Sequence, residues 1–150
     1  DCLNSYKFSA IYYSSEHMAR LSNLLKAAKG ANLQDPTNKA LVDSLFLRSK
    51  ETCFLARDAL QRQDSDSARE HLVNFFGSLC EADMKLLISR VLSSEHVAFT
   101  FYSWCKDFGD KAREDFWLKL FEHSPDAFSN FVILAYIAKK KAKEGEYIVD

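Results

Sequence analysis

The chain has 150 residues, of which 47% are apolar and 27% charged, with a formal net charge of −1 at pH 7. That length suits one domain, residues 1–150, with a real core, and the small net charge excludes a global field that would gather nucleic acid or an acidic membrane. Four Gly and two Pro are too few for the tight turns of a β-sandwich or barrel, so the expected fold is all-α, a bundle of about six to seven helices.

The first helix is predicted over residues 4–29. Phe8, Ile11, Tyr12, Met18, Leu21, Leu25 and Ala28 form its apolar stripe, and Gly30 stops it. After a loop at 31–35, Asp35 caps the second helix and Pro36 opens its first turn. That helix should run to about residue 63. Val42, Leu45, Phe46, Ser49, Cys53, Ala56 and Leu60 follow the helical period, while Leu41, Leu47, Phe54 and Leu55 widen the apolar face and predict several neighbours. A short polar turn at 63–67 makes the second and third helices an antiparallel pair.

The third helix, 67–79, points Ala68, Leu72, Phe75, Phe76 and Leu79 inward, and the fourth, 81–92, buries Met84, Leu87, Ile88 and Val91. Ser93 and Ser94 cap a fifth helix with an apolar stripe of Val97, Phe101, Trp104, Cys105 and Phe108, ended by Gly109. A sixth, after Asp110, buries Ala112, Phe116, Trp117, Leu120 and Phe121.

The seventh helix is the expected centre of the bundle. Eight consecutive residues, 131–138, carry no charge. That run is far short of the ~20 needed to span a bilayer, and a helix apolar all round belongs among neighbours on every side. Ser124, Pro125 and Asp126 suit its N-terminus. Lys139, Lys140, Lys141 and Lys143 suit the negative end of its dipole, and Gly145 is expected to stop it in a left-handed turn.

Cys2, Cys53, Cys80 and Cys105 allow three disulfide pairings. Cys80 and Cys105 lie at nearly equal distances from the Ser93-Ser94 turn, which would make them level on antiparallel neighbours. The preferred set is therefore Cys80–Cys105 with Cys2–Cys53; Cys53–Cys80 with Cys2–Cys105 is less level and stays open. The start at Asp1-Cys2 fits either a trimmed chain or a mature chain after signal removal; a disulfide there would tie down a fraying end, which favours the secreted reading. The expectation is a disulfide-stapled bundle, secreted and monomeric.

No catalytic pattern stands out. His17, His71, His96 and His123 each follow a glutamate, but adjacent helical residues point about 100° apart and cannot jointly hold a metal. They read as surface residues near helix ends. There is no Gly-x-Ser-x-Gly elbow, His-Glu-x-x-His, phosphate loop or Cys-x-x-Cys. The stretch from His71 departs from the histidine phosphotransfer motif, with Asn74 where that motif has lysine. The expectation is a protein that is not an enzyme, with no cofactor, no metal site and no catalytic residues.

The Asp1-Cys2 start, the all-helical chain of this length, and Cys53, Cys80 and Cys105 on long amphipathic helices resemble the albicin and anophensin family, salivary proteins of anopheline mosquitoes. The resemblance implies a secreted binder of a host plasma protein or complex that blocks a protease cascade. The alternative complement pathway is the first expectation and the contact system the second. Two other classes compete with it. One is a carrier of an apolar small ligand, with Tyr12, Trp104 and Trp117 as lining, although a packed core is the simpler reading of those rings. The other is an intracellular helical adaptor, which free thiols would favour.

Overall fold

The structure is a computed structural model and describes residues 10–148. Seven helices lie wholly within them: α1 (Ser15–Lys29), α2 (Pro36–Gln61), α3 (Ser65–Phe76), α4 (Glu81–Val91), α5 (Glu95–Gly109), α6 (Glu114–His123) and α7 (Pro125–Glu144). The described residues contain no strand, and none of their helices is long and apolar enough to cross a membrane.

The chain is all-α with α7 at its centre. α7 packs against α5 most extensively, then against α6, α3 and α4, while α2 pairs with α3 and also meets α5 and α4. Phe131, Val132, Ile133 and Leu134 are all buried, four consecutive positions that together face every side of the helix. Trp117 of α6 stacks on Phe131 at 5.2 Å between ring centres, and Phe108 of α5 stands edge-on to both, at 5.4 and 5.6 Å. Ring pairs of this kind contribute about 0.5–1.5 kcal/mol each beyond burial alone. Asn130 is the polar exception on the buried face of α7. Its amide donates to the Phe76 carbonyl at 2.7 Å and to that of Leu79 at 3.3 Å, so the carbonyls around the end of α3 are satisfied from inside the core.

Several helix ends differ from expectation. Residues 4–29 do not form one helix. Helical backbone covers 10–12, Tyr13 and Ser14 interrupt it, and α1 starts afresh at Ser15. Ser14 is extended and its hydroxyl accepts from the His17 N–H at 3.3 Å; a serine that bonds the backbone locally competes with helix continuation. α3 begins at Ser65 because Asp64 is the cap. Its carboxylate accepts from the Ser67 N–H at 3.1 Å and hydroxyl at 2.8 Å, and these bonds hold Asp64 below the usual carboxylate range.

Gly145 is not left-handed, with φ −92°; the positive φ falls on the next residue, Glu146, at 62°. Space explains the glycine. A Cβ there would lie 2.5 Å from the Glu95 Cβ, where the end of α7 crosses the start of α5.

The four outer apolar residues of α2 are also placed differently. Leu41, Leu47, Phe54 and Leu55 are exposed, although α2 does have several neighbours. Those neighbours are all met through the opposite stripe that contains Val42, Leu45, Cys53 and Ala56. Met18 is exposed too.

Disulfide stapling is not seen among the described residues, where Cys53, Cys80 and Cys105 are free thiols. A Cys80–Cys105 bond requires α4 and α5 to lie side by side. Instead α5 turns away onto α7 and α2, while α4 packs mainly on α1 and α2. Cys80 ends up exposed at the N-cap of α4. Cys105 is buried and meets Cys53 across the α2–α5 seam; burial first, then the hydrogen bond and charge of Cys53, push its thiol well up. Cys2, and with it the Cys2–Cys53 pairing, lies outside the described residues.

Candidate ligand cavity

α5 and α7 run antiparallel. The Lys141 ammonium lies 3.8 Å from the Glu95 carboxylate at one end of the pair, and Phe108 meets Phe131 at the other. Between these anchors the helices do not close completely. A cavity of about 410 Å³ follows their seam, with α6 and the residues before α1 completing its wall. This volume falls in the range typical of small-molecule sites.

The cavity has two chemically different ends. The Trp117 ring, Phe131, Val132 and the bare backbone of Gly109 line one end. Trp117 is fully buried, so this end is formed by the core itself. From there the wall climbs α7 through Ala135 and Tyr136 to Lys139, Lys140 and Lys143, facing Tyr102 and Lys106 of α5. From Phe131 to Lys143 the rise is about 18 Å at 1.5 Å per residue. Asp110 is the one carboxylate among the described lining residues, and it sits at the C-cap of α5, toward the apolar end.

Tyrosines form the side walls. The Tyr12 ring packs on Tyr136 at 5.7 Å and on Tyr13 at 5.0 Å. Burial, followed by the neighbouring Tyr136 and Tyr13, pushes the Tyr12 phenol far up, so it keeps its proton at physiological pH. The Lys140 ammonium lies 5.3 Å over the Tyr136 ring.

Of the expected lining residues, Tyr12 and Trp117 are in the cavity and Trp104 is not. Trp104 lies on another face of α5, against Phe46 at 5.1 Å and Phe101 at 5.7 Å. The lysine cluster divides. Lys139, Lys140 and Lys143 face the cavity, whereas Lys141 points to Glu95 and to Glu144, the latter at 3.2 Å. Tyr102, Lys106, Ala135 and Tyr136 were not singled out by the sequence. Their one signal is that Tyr102 and Lys106 are four residues apart, on a face of α5 outside its main apolar stripe.

The histidines are scattered. His96 and His123 are exposed and His71 is half-buried, but His17 is in the interior, which corrects its reading as a surface residue. Its ring lies 5.0 Å from that of Tyr12, its Nε2 has no hydrogen-bond partner among the described residues, and burial, then Arg20, lower its pKa. Among the described residues no three His, Cys, Asp or Glu side chains converge as a metal site would require. A second hollow of about 250 Å³ lies between α2 and α3, where His71 and Asn74 meet Arg48 and Glu51. The Arg48 guanidinium covers Phe75 there at 4.9 Å, and the walls are largely polar.

Comparison with protein-family models, with curated proteins and with solved structures gives no match for this chain.

Proposed function

We propose that this protein is a non-enzymatic carrier that holds an elongated apolar or amphipathic small molecule in the seam between α5 and α7. The observation that carries this reading is the 410 Å³ cavity, with a core tryptophan at its apolar end and the α7 lysines at the other. A packed bundle has few voids larger than a water molecule, and one of this size along a single helix pair is space a ligand can fill. Trp117 is a built-in reporter. Its fluorescence should change on titration with medium-chain fatty acids, alcohols or amines in a Trp104→Phe background. No change across the three classes would remove the carrier reading.

A second reading, inhibition of a host plasma cascade by a secreted binder, draws on the outer face of α2. Leu47, Phe54 and Leu55, at i, i+7 and i+8, share one helix face and are 57%, 37% and 50% exposed. Lys50 and Arg57 flank Phe54 at 5.6 and 4.8 Å. An exposed apolar stripe edged by cations suits a protein partner. Haemolysis driven by the alternative complement pathway, followed by kallikrein generation for the contact system, tests it. No inhibition at micromolar protein in either assay would remove it.

A further inference from the structure

From the charge arrangement around the cavity we infer that its ligand is an organic anion, one acid group on an apolar tail, bound with the tail toward Trp117 and the acid among the lysines of α7 and Lys106 of α5. This inference rests on the carrier reading and names the chemical class of ligand.

The helix dipole accounts for only part of the lysine cluster. Cations at a helix C-terminus are favoured by the dipole, but that effect is confined to the last turn. In α7 the last-turn cations are Lys141 and Lys143, and Lys141 is already paired with Glu95 and Glu144. Lys139 and Lys140 come before that turn, and Lys106 belongs to a different helix. None of these three makes an ion pair among the described residues. Cations from two helices therefore line one cavity, where Asp110 is the one carboxylate among the described lining residues, next to an apolar chamber. Such a gathering of like charges is unfavourable by itself and is relieved by a bound anion.

The remaining wall fits the same ligand. A protonated tyrosine is a hydrogen-bond donor to a carboxylate and adds no negative charge, and Tyr12, Tyr102 and Tyr136 all line the cavity. The stems of Lys139 and Lys143 are half-buried. Lysine stems can cover an apolar tail while the ammonium groups stay at the water boundary. Asp110 would repel an acid placed at the other end, which fixes the direction of binding. At about 30 Å³ per water-sized group, the cavity holds roughly a dozen such groups, so a medium-chain acid is the natural probe.

The test compares dodecanoate, dodecanol and dodecyltrimethylammonium, each below its micelle concentration, by Trp117 fluorescence in the Trp104→Phe protein. Dodecanoate should bind at least tenfold more tightly than dodecanol, with the ammonium weakest, and the preference should shrink with added salt. Lys139→Gln with Lys140→Gln should remove most of the dodecanoate advantage over dodecanol. Both lysines reach the surface, so the folded state should survive, and circular dichroism checks that it does. Equal affinity for acid and alcohol, or loss of both together in the double variant, would overturn the anion inference and leave the carrier reading standing. Failure of all three probes to bind would overturn both.

Discussion

Arg20 and Asn130, 110 residues apart in sequence, meet at 2.7 Å, the Arg20 Nη2 donating to the Asn130 side-chain oxygen. The same guanidinium donates to Ser129 Oγ at 2.7 Å and to Glu81 at 2.5 Å. Asn130 in turn donates to Phe76 and Leu79. One polar node thus ties α1, the end of α3, the start of α4 and α7 together. Asn130 is 1% exposed, whereas the Glu81 side chain is 67% exposed.

The node predicts an order of effects. Asn130→Ala leaves buried carbonyls and an arginine short of partners, and each such loss costs about 1–3 kcal/mol. Urea denaturation should show a loss of about 2–4 kcal/mol. Glu81→Gln touches only an exposed ion pair and should cost less than about 1 kcal/mol. An equal loss in both variants would mean that the ion pair, and not the buried amide, holds the node.

His17 predicts an acid-side loss of stability. Its folded pKa lies below the ordinary histidine value because burial disfavours the charged ring, with Arg20 adding to the effect. Between the two values the unfolded chain binds the extra proton. The contribution is therefore complete above about pH 6.5 and declines as pH falls toward the folded pKa, by at most about 1.4 kcal/mol per pH unit. Chemical denaturation from pH 8 to pH 5 should show this decline, and His17→Gln should flatten it.

Thiol chemistry distinguishes the three described cysteines. In the native protein Cys80 should alkylate readily, while Cys53 and Cys105, both buried, should resist until denaturant is added. Peptide mapping without reductant should find all three alkylated in the unfolded chain. A Cys80–Cys105 cross-link would contradict the structure and restore the disulfide-stapled, secreted reading.

Filling the cavity should separate binding from stability. Ala135 is half-buried on the cavity wall, and Ala135→Leu places carbon in empty space. Cavity-filling changes of this kind stabilise by about 0.5–2 kcal/mol. Tm should hold or rise while dodecanoate affinity drops about tenfold or more. Unchanged affinity would place the ligand elsewhere.

The α2 stripe makes the opposite prediction. Leu47→Ser with Leu55→Ser removes exposed apolar surface only, so each should shift stability by no more than about 0.5 kcal/mol. If the protein blocks a plasma cascade through this face, inhibition should fall while dodecanoate binding is untouched.

The helices themselves were legible in the sequence because their causes are local. Asp35 with Pro36, Ser94, and Ser124 with Pro125 mark starts through capping bonds formed within three residues. The uncharged run at 131–138 announced a central helix, since such a surface has no other place to go. What the sequence by itself determined is therefore the all-α class, most helix boundaries and the centre of the bundle. Tertiary structure decided which face meets which partner. The helical period shows that Cys105 lies on an apolar stripe, but not that α5 leaves α4 for α7 and sets Cys105 against Cys53. It shows that Leu47 and Phe54 are apolar, but not that no described helix covers them. It explains the lysines of α7 by the dipole, but not that Lys106 of α5 joins them around a hollow. Periodicity is a property of one helix, whereas a cavity belongs to the space between two, set by their crossing and by the bulk of side chains far apart in the chain.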